Sequence, residues 1–329
     1  MTMCKTTEMR SKQLNLDSYD TDKVAHRYLD LYDPILLPWI GKEINLLEIG
    51  IYKGGSLQLW RDYFPLGNII GIDLKLPKQF VPGDRIQVFE GSQLNKQFLS
   101  NVANKAAPDG LDIVIDDASH IGEMTKKTFW HLFDHHLKPG GLYAIEDWGT
   151  GYWDDFPDGK GLSNLRNPLM SRLRSLLPPR LKRRVKAPFP CHSYGMVGFI
   201  KELVDEQGAA SVTMKYPIGV RRASKFKNML IAPGVVFVRK IASTLTASPN
   251  PVPACEGISK TTISWNTDDE STGKVYVSRN GGEESLFAVA SRDSAVANWI
   301  HKGSSYEFRL YNSDHTKLLA KVAVTRATQ

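Results

Sequence analysis

The chain has 329 residues, 42% hydrophobic and 23% charged, a composition that excludes wholesale disorder and leaves room for two domains. Its net charge of +7 is local, because residues 161–190 carry eight Arg and Lys side chains and no acid; such a segment does not make the whole chain a nucleic-acid binder. Three scattered cysteines, Cys4, Cys191 and Cys255, form neither a disulfide framework nor a zinc knuckle. With no signal-peptide pattern and no bilayer-length apolar run, the expectation is a cytoplasmic protein in a reducing compartment.

In chain order, short apolar runs alternate with helical patterns. Strands are predicted at 44–50, 68–74, 85–91, 111–117 and 141–147, rich in Ile, Val and Leu and only weakly alternating, as expected when both faces are covered. "GSLQLWRDYF", "NKQFLSNVANKA" and "EMTKKTFWHLFDHHL" lie between them with apolar residues at helical spacing, and Gly140-Gly141 reads as the stop of the last. A helix at 195–207 precedes strand candidates "SVTMKYP" and "GVVFVRKI". Repeated strand–helix units predict an α/β fold, a doubly wound and mostly parallel Rossmann-like sheet over residues 1–242. "TLTASPNPVPACEG" reads as a connector. The alternating runs "TTISWNT", "KVYVSRN", "ESLFAVA", "SYEFRLYN" and "LLAKVAVTR" then predict an all-β immunoglobulin or fibronectin-III-like sandwich over 243–329.

Ligands of open parallel sheets bind beyond the carboxyl ends of the strands, and the unusual polar residues cluster there. The first strand ends "LLEIGIYKGGS", with Glu48, Gly50, Gly54 and Ser56 leading into a helix; glycines admit close backbone approach, and a helix N-terminus offers free N–H groups. No dinucleotide fingerprint or phosphate loop is present. Asp73 ends the second strand where an adenosine ribose presents its diol, and Ser92 and Gln93 follow the third where an adenine edge can be read. The fourth ends Asp116-Asp117 with His120 just beyond, and the fifth in Glu146-Asp147. Neighbouring strand residues face opposite ways, so one aspartate of the first pair faces the cleft. Asp117, Glu146 and Asp147 can converge on a hard divalent cation, most simply Mg2+. Acidic strand ends also cap following helices.

Taken together, "TDKVAHRYLDLY", "LEIGIYKGGSLQLWRDYFP", "GIDL", "EGSQ", "IDDASH" and "GLYAIEDWGTGYW" resemble the S-adenosylmethionine-dependent sugar O-methyltransferases of mycinamicin and macrocin type, which are related to cephalosporin-hydroxylase-like proteins. The likeness runs over about 19–153 and more loosely to 241, leaving out the basic segment and the sandwich. It implies that Glu48, Gly50, Gly54, Ser56, Asp73, Ser92, Gln93 and Asp117 hold the cofactor S-adenosyl-L-methionine. It further implies that Asp117, Glu146 and Asp147 bind Mg2+, that His120 is the general base, and that the acceptor is a hydroxyl of a sugar or other small molecule. A catechol-type acceptor is the rival within this chemistry. A glycan-binding protein with an inactive methyltransferase-like domain is the rival outside it, though such a domain has no reason to keep all four site groups.

His131, His135 and His136 read as packing or surface residues, whereas Trp148, Tyr152 and Trp153 could stack on a sugar ring or fill the core. Asp22, Lys23, His26 and Tyr28 match the resembled family's N-terminal segment, their roles left open. The basic segment 161–190 reads as a lid or homo-oligomer contact in preference to an anionic-membrane contact, because one short amphipathic stretch anchors weakly.

Overall fold

The structure, a computed structural model, describes residues 9–166, 176, 178, 192–209, 224–254 and 257–327. The predicted strand at 211–217, the three cysteines and nearly all of the basic segment past Arg166 lie outside them. The chain divides into two compact units, Met1–Gly208 with Asn228–Lys240, and Ala209–Lys227 with Ile241–Gln329.

The first unit runs α1 (Asp22–Ala25), α2 (Leu29–Leu36), β1 (Asn45–Ile49), α3 (Gly55–Tyr63), β2 (Asn68–Asp73), β3 (Ile86–Glu90) and α4 (Lys96–Ala106). It continues with β4 (Leu111–Asp116), α5 (Gly122–His135), β5 (Leu137–Glu146), α6 (Pro157–Arg166), α7 (Gly195–Gly208), β6 (Phe226–Ile231) and β7 (Val235–Lys240). The sheet order β3-β2-β1-β4-β5-β7-β6, with β1 to β5 parallel and β7 antiparallel to β5, is that of a Rossmann-like methyltransferase fold. The order turns back between β1 and β4, which opens a crevice at their carboxyl ends.

Both faces of the sheet are covered, which is why its strands lack a polar alternation. On one face Tyr32 sets its ring 5.1 Å from both Trp60 and Phe237, over Leu46, Ile113 and Ala144. On the other, Phe129 lies 4.7 Å from Tyr143 and 5.6 Å from Phe199. Each such fully buried aromatic stabilises the fold by roughly 2–3 kcal/mol, so the strand ends rest on a stiff platform.

Two local readings are corrected. Gly140-Gly141 does not stop α5, which ends at His135; both glycines lie inside β5. The register shifts there and Gly140 takes φ +77°, a bulge that the glycines permit. The connector at 244–257 begins with a strand, β8 (Thr244–Ser248), because Leu245 is drawn into the sandwich core. β6 and a strand at Arg292–Ile300 escaped the pattern reading, having mixed polarity.

The second unit consists of β8, β9 (Ser259–Asn266), β10 (Gly273–Arg279), β11 (Glu284–Ala290), β12 (Arg292–Ile300), β13 (Tyr306–Tyr311) and β14 (Leu318–Val324). They form antiparallel sheets β11-β10-β13-β14 and β12-β9-β8, closed over Ile263, Trp265, Val275, Phe308 and Leu310. No helix among the described residues is long and apolar enough to cross a membrane.

Candidate active site

A cleft of about 820 Å3 opens at the carboxyl ends of β1, β2 and β4. Gly50, Gly54, Ser56, Asp73, Ser92, Gln93, Asp117, His120 and Asp147 all line it, so most of the residues singled out by sequence share one hollow. Gly50 continues β1 past its last residue, its N–H donating to the Ile72 carbonyl at 2.8 Å. Asp73 holds the turns around it, accepting from the N–H of Ile51 at 2.7 Å and of Lys75 at 3.0 Å; a carboxylate has lone pairs left for a diol. Gln93 is fixed by a bond from its amide to the Thr128 hydroxyl at 3.2 Å.

Beyond the glycine turn stand Asp117, His120 and Asp147. His120 Nε2 lies 3.8 Å from Asp117 Oδ1 and 3.8 Å from Asp147 Oδ2, and one ligand atom from each of the three falls within 4.8 Å of the others. All three are partly exposed to the cleft. His120 and Asp147 have left-handed backbones, φ +50° and +53°, a region His and Asp enter more readily than most residues. Two hard oxygens and an imidazole converging on open space fit a divalent cation.

Glu146 and Glu48 depart from the expected set, and burial is the reason. Glu146 turns inward, one oxygen accepting from Lys23 Nζ at 2.7 Å and the other from the Tyr32 hydroxyl at 2.6 Å. It therefore does not join Asp117 and Asp147 in the cleft. Glu48 is fully buried and does not line the cleft, bonded by Ser56 Oγ at 2.7 Å and Trp60 Nε1 at 3.3 Å, with Lys23 Nζ 3.2 Å away; it braces the start of α3 behind the glycine turn. Burial pushes both carboxyls above their ordinary range, against the pull of Lys23.

Lys23 itself is fully buried, with a third partner in Asp117 Oδ2 at 2.7 Å. Burial alone would lower its pKa, but Glu146, Asp117 and Glu48 outweigh that and hold it well above the usual lysine range. The Tyr28 hydroxyl donates to Asp147 Oδ1. The roles of Lys23, Tyr28 and Tyr32 were hidden in the sequence because lysine and tyrosine default to exposed or half-exposed positions. The clue was the surplus of acid at adjoining strand ends, which needs a counter-charge.

Asp116, the partner of Asp117 in sequence, points the other way, into the core, where the Tyr143 hydroxyl donates to it at 3.1 Å. Burial pushes its pKa up to about 7. The folded state therefore holds this proton more tightly than the unfolded chain, so stability falls as pH rises from about 4 to 7 and the penalty is complete above that. Asp116→Asn is expected to stabilise the protein by up to about 4 kcal/mol at pH 8 and to change it little at pH 4, read by denaturant unfolding at both pH values.

Among the aromatics, Trp148 is anchored through Nε1 to the Ala232 carbonyl at 2.9 Å and Tyr152 packs on His192 with ring centres 4.8 Å apart. Trp153 is half exposed. His131 and His136 direct Nε2 to the Ser100 hydroxyl at 3.0 and 2.9 Å, a packing arrangement on α4 and α5.

No protein-family model matches the chain. The mycinamicin VI 2''-O-methyltransferase of Micromonospora griseorubida is 36% identical over 159 residues, 46% of this chain and 39% of that protein. The 8-demethyl-8-(2-methoxy-alpha-L-rhamnosyl)-tetracenomycin-C 3'-O-methyltransferase of Streptomyces olivaceus is 40% identical over 134 residues, 39% of this chain and 33% of that protein. A solved structure of the MycE methyltransferase with Mg, SAH and mycinamycin VI is 29% identical, with a TM-score of 0.47, over 65% of this chain and 48% of that one. The chain thus spans between a third and two fifths of the length of these curated relatives. Across the matched stretch it is similar to sugar O-methyltransferases at 32–40% identity, the resemblance its motifs carry.

Proposed function

We propose that this chain is an O-methyltransferase that moves a methyl group from S-adenosyl-L-methionine to a hydroxyl of a sugar or glycoside, assisted by Mg2+. The carrying observation is that Asp117, His120 and Asp147 converge in the cleft that Gly50, Gly54, Ser56, Asp73, Ser92 and Gln93 also line. The first group suits a hard cation and a proton acceptor, and the second suits a nucleoside with a diol.

The charge balance supports a cation. Glu48, Asp117 and Glu146 surround the ammonium of Lys23, while Asp117 and Asp147 also line the cleft, where a divalent ion would offset their charge. Asp117 and Asp147 would hold it, with Glu146 behind them. A bound divalent ion lowers the pKa of a coordinated hydroxyl. His120 then stands where it can take the proton, since imidazole is the side chain that titrates near neutral pH. Asp73 accepts from the ribose diol, and Ser92 and Gln93 bound the base. The cleft aligns donor and acceptor, and that alignment accounts for much of the rate.

In this reading residues 1–242 form the methyltransferase domain and 243–329 an accessory domain. The order of its three- and four-stranded antiparallel sheets supports an immunoglobulin or fibronectin-III-like assignment. The expected compartment remains the cytoplasm, read from the cysteines.

Calorimetry of the whole chain with S-adenosyl-L-methionine, followed by methyl transfer to a panel of glycosides, tests the reading. Binding and transfer that stop with a chelator and resume with Mg2+ are expected. Failure of the cofactor to bind removes the proposal, and preference for a catechol over every glycoside moves the acceptor class.

A further inference from the structure

The ends of β1, β4 and β5 make two cation positions where the proposed chemistry needs one. The outer position lies between Asp117 Oδ1 and Asp147 at the cleft, beside the His120 imidazole. The inner position lies among Glu48, Asp117 Oδ2 and Glu146, and it is filled by the Lys23 ammonium at 3.2, 2.7 and 2.7 Å. Asp117 belongs to both, one oxygen to each. Lys23, Glu48 and Glu146 are essentially without solvent exposure.

We infer that Lys23 is a resident cation, a positioning residue that occupies the inner position, turns Asp117 Oδ1 toward the cleft and confines a divalent ion to the outer position. The inference rests on the methyltransferase reading only for the role of that outer ion. Three carboxylates gathered at hydrogen-bond distance from a single point are a donor set that hard divalent cations accept. What keeps such an ion out is the ammonium on its four-carbon stem, delivered by α1 from the other end of the sequence. The stem fills the space a hydrated ion would need. A neutral, shorter side chain opens that space and leaves the carboxylates uncompensated, which buried charges do not tolerate.

The test is the number of Mn2+ ions bound per chain, counted by electron paramagnetic resonance and calorimetry with MnCl2 as the probe. The parent and Lys23→Arg are expected to bind one ion, and Lys23→Ala to bind one more than the parent. Thermal unfolding of Lys23→Ala should also become strongly Mn2+-dependent, a readout that loss of ordinary packing would not produce. An unchanged count in Lys23→Ala overturns the inference, as does a variant that fails to fold even with Mn2+. If the parent binds none and Lys23→Ala binds one, the inner position stands and the metal-assisted reading falls. If both bind one, the reverse holds.

Discussion

His120→Ala is expected to lower methyl transfer by roughly 10²–10⁴-fold, the range that a positioned general acid or base contributes, while leaving S-adenosyl-L-methionine affinity within about threefold of the parent. The expectation follows from where the imidazole sits. Its Nε2 is 3.8 Å from each of Asp117 and Asp147, beyond hydrogen-bond length. Neither carboxylate clamps the ring, which leaves the imidazole open to the cleft. The residue lies past the end of β4 and takes no part in the hydrogen bonds that fix Gly50 and Asp73, so its loss should leave those groups in place. Methyl transfer is followed with labelled cofactor and binding by calorimetry. Full activity in His120→Ala takes the histidine out of the mechanism, and joint loss of binding and activity makes it a structural group.

The outline of this site was legible because parallel strands concentrate chemistry at their carboxyl ends. Five apolar runs sufficed to place Asp73, Ser92, Asp117 and Asp147 at neighbouring strand ends, and all four line one cleft. What stayed hidden was depth. Sequence spacing says that Glu146 adjoins Asp147, but not that the last strand residue turns down to Tyr32 and Lys23 while the next turns outward. The same blindness affected Glu48, whose place under the glycine turn depends on Ser56 and Trp60 one and two turns into α3. Lysine is so seldom buried that the role of Lys23, left open by the sequence, emerges only when three carboxylates are seen around it. In the second unit the run "TLTAS" was masked by the prolines that follow it, although Leu245 alone is enough to draw it into the sandwich.

Gly50→Ala is expected to destabilise the fold by about 2–5 kcal/mol, combining a side chain forced into a left-handed backbone with overpacking at a rigid wall. Gly50 has φ +102°, and a Cβ placed there lies 2.2 Å from the carbonyl oxygen and 2.8 Å from the carbonyl carbon of Asp117. The obstacle is backbone, not a flexible tip. It cannot move aside cheaply, because the Asp117 N–H is bonded to the Ile49 carbonyl at 2.9 Å and its side chain to Lys23 at 2.7 Å. Relief by shifting Asp117 would pull the carboxylate off Lys23 and away from His120, so cofactor and cation binding should weaken together with stability. Gly41→Ala separates the two causes: its φ is +75°, yet nothing lies within 4 Å of the added Cβ, so it should cost only about 1 kcal/mol of backbone strain. Denaturant unfolding of the two variants gives the comparison. Equal costs at the two positions would mean that the close approach of β1 to β4 does not constrain Gly50.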